Sequence, residues 1–277
     1  NIQHTDAIVQ VVRCFDNDDV VHVDGQVDPI SDIETINLEL ALADLETVES
    51  RLPRLQKSSK LDKSVLEEVA ALEVALTSLS EGIPLYRAGL SADIRLALAP
   101  HFLLTNRRVL AVVNVGENEL DKIPEAEASV RAELAPPGSA SAAEVEVLGM
   151  SVQLEAEAAQ LDEADRAEML GELGLGEGAL PRMVRSAYHL LGLRTFITTG
   201  EKETRAWTFN AGGKAPECAG KIHSDLQRGF IRAEVIAWDE LLEIGSWNKA
   251  KDLGKVRSEG KEYEVVDGDV MEIRFNV

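Results

Sequence analysis

Arg108-Val-Leu-Ala-Val-Val-Asn-Val-Gly-Glu117 carries the clearest structural signal in the chain. Residues 109–113 are an unbroken apolar run rich in valine, as in a strand buried on both faces. The run ends in a polar tip, Asn114-Val-Gly-Glu117. Upstream, Ile8, Val9, Val11 and Val12 form a similar run within residues 6–15, again read as a strand buried on both faces. Downstream, a helix over about 124–134, a strand over about 144–149 and a helix over about 153–161 alternate. This alternation predicts a parallel sheet with helices on both faces. Ligands of such sheets bind beyond the carboxyl ends of the strands, where both Asn114-Val-Gly-Glu117 and the next strand's end, Val147-Leu-Gly-Met-Ser151, fall.

Between the first two strands the period changes. A polar loop, Asp16-Asn-Asp-Asp19, and a short run, Val20-Val-His-Val23, lead to Asp28-Pro-Ile-Ser-Asp-Ile-Glu34, a helix entry that Ser31 or Asp32 is expected to cap. Leu38, Leu45 and Leu52 then recur every seven residues, with Ala41, Val48 and Leu55 between them. After Lys57-Ser-Ser-Lys60 the pattern resumes with Val65, Leu72 and Leu79, plus Val69 and Leu76. Two such helices joined by a short turn predict an antiparallel hairpin with coiled-coil-like packing, inserted into the α/β domain.

Composition sets further bounds. The chain has 277 residues, a net charge of −21 and 45% hydrophobic residues, which excludes disordered, collagen-like and disulfide-scaffold classes. Residues 1–192 hold 15 Lys+Arg against 34 Asp+Glu, while residues 193–277 hold 13 against 15 together with 8 of the 12 aromatic residues. A domain border near Gly192 follows. The stretch beyond it, with Arg194-Thr-Phe-Ile-Thr198, Arg205-Ala-Trp-Thr-Phe209, Ile231-Arg-Ala-Glu-Val-Ile236, one helix near 219–226 and a closing Val270–Val277, reads as a compact α+β module. Cys14 and Cys218 make neither a disulfide framework nor a thiolate zinc site, in keeping with a reducing cytoplasm. No apolar run reaches the roughly 18–20 residues of a membrane span. Because the chain enters a strand within a few residues of Asn1, an N-terminal segment is expected to be absent.

The polar tip has a chemical reading. Nucleotide-binding G-domains place Asn-Lys-x-Asp here, the Asn tying neighbouring loops together and the Asp accepting from the guanine N–H groups. Glu117 is one methylene longer, which crowds a guanine edge, and Val115 removes the Lys. Such a loop suits adenine better; otherwise it is a polar loop capping the next helix. Ser151 stands where the last base-contacting loop would be, and is otherwise a helix cap. His22 is the candidate catalytic imidazole, able to orient or deprotonate water near neutral pH; its alternative is a half-buried histidine on a short strand. His4, His101, His189 and His223 lack metal-ligand spacing.

Arg13-Cys-Phe15, Asp28-Pro, Asp32-Ile-Glu-Thr-Ile-Asn37, Asn114-Val-Gly-Glu117 and the run from Leu193-Arg-Thr-Phe-Ile-Thr-Thr-Gly200 to Val277 together resemble the YchF-type Obg-like ATPases. Within the last run, Arg205-Ala-Trp207, Ala219-Gly-Lys-Ile-His223, Arg228-Gly-Phe-Ile-Arg-Ala-Glu234 and Asp267-Gly-Asp-Val270 look like that family's TGS domain. The resemblance implies three parts. These are a partial P-loop NTPase-type G-domain at 1–36 and 97–192, an inserted helical hairpin at 37–96, and a C-terminal α+β β-grasp (TGS) domain at 193–277. It further implies a ribosome-associated cytoplasmic ATPase that prefers ATP to GTP, with Asn114, Val115, Glu117 and Ser151 around the base and His22 in place of the water-positioning Gln of related GTPases.

The departures from the family are as informative. No Gly-x4-Gly-Lys-Ser/Thr and no Asp-x-x-Gly occurs, although phosphate and Mg²⁺ need them. The expectation is that these motifs, and the Mg²⁺ ligands, belong to a segment before Asn1, and that these 277 residues alone do not hydrolyse ATP. The competing expectation is a nucleotide-independent ribosome- or RNA-binding scaffold. Contacts to rRNA are expected through the helical part or through Lys214, Lys221, Arg228 and Arg232 with Trp207 and Phe230, unless those two aromatics are core.

Overall fold

The computed structural model describes residues 5–15, 27–59, 63–200 and 203–276. It divides into two compact units, residues 1–191 and 192–277.

In the first unit the elements run β1 (Ala7–Arg13), α1 (Pro29–Ser58), α2 (Leu66–Ser80), α3 (Ala92–Leu98), β2 (Arg108–Asn114), α4 (Ile123–Leu134), β3 (Val145–Met150), α5 (Val152–Ala158), α6 (Glu163–Glu172) and α7 (Ala179–Leu190). The three strands form one parallel sheet in the order β1-β2-β3. Its register sets Arg13 beside Asn114 and Asn114 beside Met150, so all three carboxyl ends meet. One face of β2, Val109, Ala111 and Val113, packs on Val130 and Leu134 of α4. The other, Leu110 and Val112, packs with Ala179 and Leu190 of α7.

Burial of β1 on both faces does not hold. Val12 is 5% exposed, but Val9 and Val11 are 46% and 65% exposed. They pair with Leu110 and Val112, on the face where α7 packs against β2 and β3.

Asp28, rather than Ser31 or Asp32, caps α1: its Oδ1 accepts from the N–H groups of Ile30 (3.2 Å) and Ser31 (3.1 Å), with Pro29 opening the helix. The helix then runs unbroken for 30 residues, straight through the expected boundary at 36/37. Its buried stripe is Ile33, Asn37, Ala41, Asp44, Val48 and Leu52, and Leu38 of the expected heptad lies outside it, 49% exposed. Ala41, Val48 and Leu52 pack against Val69, Leu72, Ala75 and Leu79 of α2 and Leu98 of α3. The stripe includes Asp44 because its carboxylate accepts the backbone N–H groups of Leu104 and Thr105 and the Thr105 hydroxyl, each at 2.7 Å. Burial raises the Asp44 pKa, and those three hydrogen bonds oppose the shift.

The second unit contains β4 (Leu193–Thr199), β5 (Thr204–Asn210), α8 (Ala215–Ile222), α9 (Ser224–Arg228), β6 (Phe230–Ala237), α10 (Trp238–Ile244), α11 (Trp247–Asp252), β7 (Arg257–Glu259) and β8 (Asp269–Phe275). The strand order is β5-β4-β8-β6-β7, with β4 and β8 parallel and the other pairs antiparallel. Where the sequence suggests one helix near 219–226 there are two, because His223 is extended and its Nδ1 accepts the Asp225 N–H at 3.1 Å. Ala215, Cys218 and Ala219 of α8 pack on Phe196, Phe209, Phe230 and Val235. Gly268 has φ +84°, and a Cβ there would sit 2.4 Å from the Trp238 ring, so both backbone and space call for glycine.

Candidate functional site

The carboxyl ends of the three parallel strands are tied by main-chain bonds. The Asn114 carbonyl accepts the Cys14 N–H at 2.8 Å, and the Val115 N–H donates to the Met150 carbonyl at 2.9 Å. The Asn114 side chain adds a third tie: its Oδ1 accepts the Val152 N–H at 3.0 Å and so caps α5. Ser151 occupies the N-cap position without capping. Its hydroxyl is buried and has no hydrogen-bond partner among the described residues.

Beyond Asn114 the chain turns tightly, the Glu119 N–H donating to the Gly116 carbonyl at 3.0 Å. A Cβ on Gly116 would meet Glu119 Oε2 at 3.0 Å and Phe15 Cβ at 3.5 Å. Val115 turns its side chain into the core, 2% exposed, so only its backbone is available to a ligand. Glu117 is held differently: its Oε2 accepts from Gln153 Nε2 at 3.0 Å, and Gln153 also reaches Glu157 at 3.3 Å.

These residues line a cleft of about 270 Å³, with Phe15, Asn114, Gly116, Glu117, Asn118, Glu119 and Gln153 on its walls. The size is at the lower edge of small-molecule pockets, suited to one planar ring system rather than a whole nucleotide. Phe15 supplies the aromatic wall, with the Arg13 guanidinium 4.9 Å from its ring centroid and Arg13 Nε donating to its carbonyl at 3.0 Å. Sequence reasoning quoted Phe15 but gave it no role; the available signal was an aromatic just past the end of a strand beside the base-site strand. Pro29, Ile30, Ala126 and Val130, with Cys14 and Phe15, line a neighbouring cleft of about 290 Å³. Burial, reinforced by Asp32, pushes the Cys14 thiol up to about 11, which leaves it protonated and a poor nucleophile.

The arrangement can stack a flat heteroaromatic ring against Phe15 and offer it a carboxylate, an amide and turn backbone groups. The described residues therefore fit the base of a nucleotide. The motifs that would cradle its phosphates and hold Mg²⁺, Gly-x4-Gly-Lys-Ser/Thr and Asp-x-x-Gly, do not occur in these 277 residues. His22 and His4 lie outside the described residues.

The expected RNA-binding residues of the second unit are largely committed elsewhere. Phe230 is 4% exposed in the core, and Trp207 is packed against that core with its Nε1 donating to Thr198 Oγ1 at 2.9 Å. Lys214 pairs with Glu262, Arg228 with Asp225, and Arg232 with Glu234. A cation already facing a carboxylate has less to offer a phosphate. No helix among the described residues is long and apolar enough to cross a membrane.

A mixed α/β protein of the P-loop NTPase kind, followed by a separate C-terminal domain, is the class that this fold and cleft define. Residues 193–276 match the family model YchF-GTPase_C, described as a protein of unknown function (DUF933). The whole chain is 45% identical to the ribosome-binding ATPase YchF of Bacillus subtilis and 44% to that of Escherichia coli O157:H7, spanning 75% of each. The solved structure of the Schizosaccharomyces pombe YchF GTPase superposes with a TM-score of 0.81 at 31% identity, covering 98% of this chain and 73% of that one. A GTP-binding protein from Pyrococcus horikoshii shares the fold, with a TM-score of 0.62 at 20% identity. The chain belongs to the YchF family.

Proposed function

We propose that these 277 residues are the base-recognising and partner-binding part of a ribosome-associated, cytoplasmic ATPase that prefers ATP to GTP. The observation that carries the reading is the cleft at the end of β2, where Asn114 fastens the loops and Glu117 presents its carboxylate beside Gln153. A carboxylate accepts from the exocyclic amine of adenine, and the longer Glu117 side chain crowds the paired N–H edge of guanine. Phe15 stacks on the ring, Val115 contributes backbone only, and Ser151 closes the far side of the loop. The phosphate grip and Mg²⁺ ligands come from residues other than these, since no loop of the required pattern is present. His22 orients the attacking water. The α1–α2 pair is the inserted hairpin, beginning at Pro29 rather than at residue 37, and residues 193–277 are a β-grasp TGS domain. Support for the ribosome as partner is the naming of the relatives as ribosome-binding ATPases.

A second reading, a nucleotide-independent ribosome- or RNA-binding scaffold without significant hydrolysis, rests on these 277 residues carrying neither Gly-x4-Gly-Lys-Ser/Thr nor Asp-x-x-Gly. Equilibrium titration of the full-length protein with ATP and GTP, beside co-sedimentation with ribosomes, separates the two. The ATPase reading expects tighter binding of ATP than of GTP together with ribosome association. Absent nucleotide binding with ribosome association retained supports the scaffold, whereas equal binding of ATP and GTP overturns the base selection assigned to Glu117.

A further inference from the structure

Phe15 lies just past the end of β1 and is on the walls of two clefts, the proposed base cleft of about 270 Å³ and its neighbour of about 290 Å³. Beyond it, the neighbouring cleft is open space bounded by Ile30, Ala126 and Val130. Phe15 therefore partitions two cavities, and packing alone leaves its ring room to turn from one into the other. A stacking wall needs a single orientation, because a mobile ring gives up rotamer freedom each time a ligand binds.

The stem and the ring of Phe15 are held by different groups. The Cys14 N–H donates to the Asn114 carbonyl at 2.8 Å, which fastens the chain to the tip of β2, and a Cβ on Gly116 would stand 3.5 Å from Phe15 Cβ. Neither contact fixes the ring. Arg13 does. It is the last residue of β1, paired in register with Asn114, and side chains two apart along a strand point to the same side. Its guanidinium lies 4.9 Å from the Phe15 ring centroid, and its Nε donates to the Phe15 carbonyl at 3.0 Å. One planar cation thus grips both the ring and the backbone of the same residue, from a half-buried position on the wall of neither cleft.

We propose that Arg13 is a positioning residue for base binding: it clamps Phe15 as the fixed stacking wall of the cleft and keeps the ring from turning into the neighbouring cavity. Arg13 acts through Phe15 and is not itself a contact to the base. The proposal rests on the reading of this cleft as the base site. Loss of the clamp weakens the hold on the base in the ground state and the transition state alike, so its effect falls on KM rather than on kcat.

The test compares the full-length protein with Arg13→Gln, Arg13→Lys, Phe15→Leu and the double variant Arg13→Gln/Phe15→Leu, by equilibrium ATP titration and steady-state hydrolysis, with circular dichroism to check folding. Arg13→Gln is expected to raise the dissociation constant and KM for ATP about tenfold, ~1.4 kcal/mol, with kcat kept within about twofold. Arg13→Lys keeps a cation for the ring but not the Nε donor, and is expected to raise them less. With the ring gone there is nothing to position, so adding Arg13→Gln to Phe15→Leu is expected to cost less than about twofold more. Where Arg13→Gln does not fold, Arg13→Lys alone and on Phe15→Leu is read by the same criteria. Unchanged ATP affinity in the folded Arg13 variant, a fall in kcat without a change in affinity, or full additivity in the double variant overturns the proposal; if Phe15→Leu still weakens ATP binding, the base site stands without Arg13. ATP affinity untouched by Phe15→Leu, or no ATP binding by the unsubstituted protein, overturns the base-site reading and the proposal with it.

Discussion

Asn114 caps a helix that does not belong to its own strand: its Oδ1 accepts the Val152 N–H at 3.0 Å, while Ser151, in the N-cap position itself, leaves its hydroxyl unpartnered. One side chain therefore fastens the start of α5 to the tip of β2, next to the cleft where the base is proposed to bind. Replacement by alanine removes the cap, at a cost of about 1 kcal/mol, and frees the loop. We expect Asn114→Ala to lower the midpoint of urea unfolding and to weaken ATP binding about tenfold. Asn114→Asp keeps an acceptor and is expected to recover most of the stability. Full stability in the alanine variant refutes the capping role.

Glu117 is expected to set the choice of base. Shortening it with Glu117→Asp draws the carboxylate back and makes room for the guanine edge, so the ratio of ATP to GTP affinity should shift toward GTP by about tenfold, or ~1.4 kcal/mol. Gln153→Ala removes the amide that holds the carboxylate and is expected to weaken ATP binding while leaving the preferred base unchanged. Titrations of full-length variants with both nucleotides check this. An unshifted ratio in Glu117→Asp removes Glu117 as the selecting group.

The strands beneath this site were legible because β2 is apolar along its whole buried length and ends abruptly in polar residues. That contrast marks both the core strand and the ligand end. Three things escaped. The exposure of Val9 and Val11 depends on what packs over β1, and hydrophobicity along one strand carries no record of it. Asp44 sits in a buried helix stripe because its donors lie 60 and 61 residues away, a pairing that only the fold creates. Ser151 looked like a cap by position, yet the helix takes its acceptor from a residue 37 positions upstream of the serine; local rules cannot anticipate such a substitution.

His22, outside the described residues, is expected to act on water rather than on nucleotide. His22→Ala should lower the ATP turnover of the full-length protein by about 10²-fold, the usual contribution of a positioned acid–base group, with ATP affinity nearly intact. Steady-state turnover and equilibrium ATP binding, measured together, distinguish this from a binding role. Unchanged turnover takes His22 off the catalytic list.

Thr105 and Asp44 anchor the root of the strand whose tip forms the site. Thr105→Val deletes one hydrogen bond to the Asp44 carboxylate and should cost about 1 kcal/mol. The pH dependence has a definite sign. Burial already raises the Asp44 pKa, and loss of a bond that lowers it raises it further, so the folded protein holds the proton to higher pH than the unfolded chain. Stability from this group is full below the unfolded value near 4 and is lost as pH rises through the folded value. The deficit of Thr105→Val relative to the unsubstituted protein should therefore be larger at pH 7 than at pH 4. A deficit independent of pH shows that the lost bond does not act through the carboxylate.

Glu234 shows the opposite sign in the second unit. Lys251 Nζ lies 2.5 Å from its Oε2 and Arg274 3.3 Å, and hydrogen bonding to Lys251, then to Arg274, holds its carboxyl down to about 2. An unfolded glutamate titrates near 4.3, so the folded state binds fewer protons between about pH 4.5 and pH 2. The stability from this cluster is present above that window and lost as pH falls through it. Glu234→Gln removes the titration, so its unfolding free energy should fall by on the order of 1 kcal/mol at pH 7, because exposed Lys and Arg partners are screened. Its acid-induced loss below pH 4.5 should be correspondingly shallower. All three tryptophans, Trp207, Trp238 and Trp247, lie in residues 192–277, so intrinsic fluorescence follows this unit selectively. Parallel acid profiles for the two proteins would show that the cluster is not linked to folding.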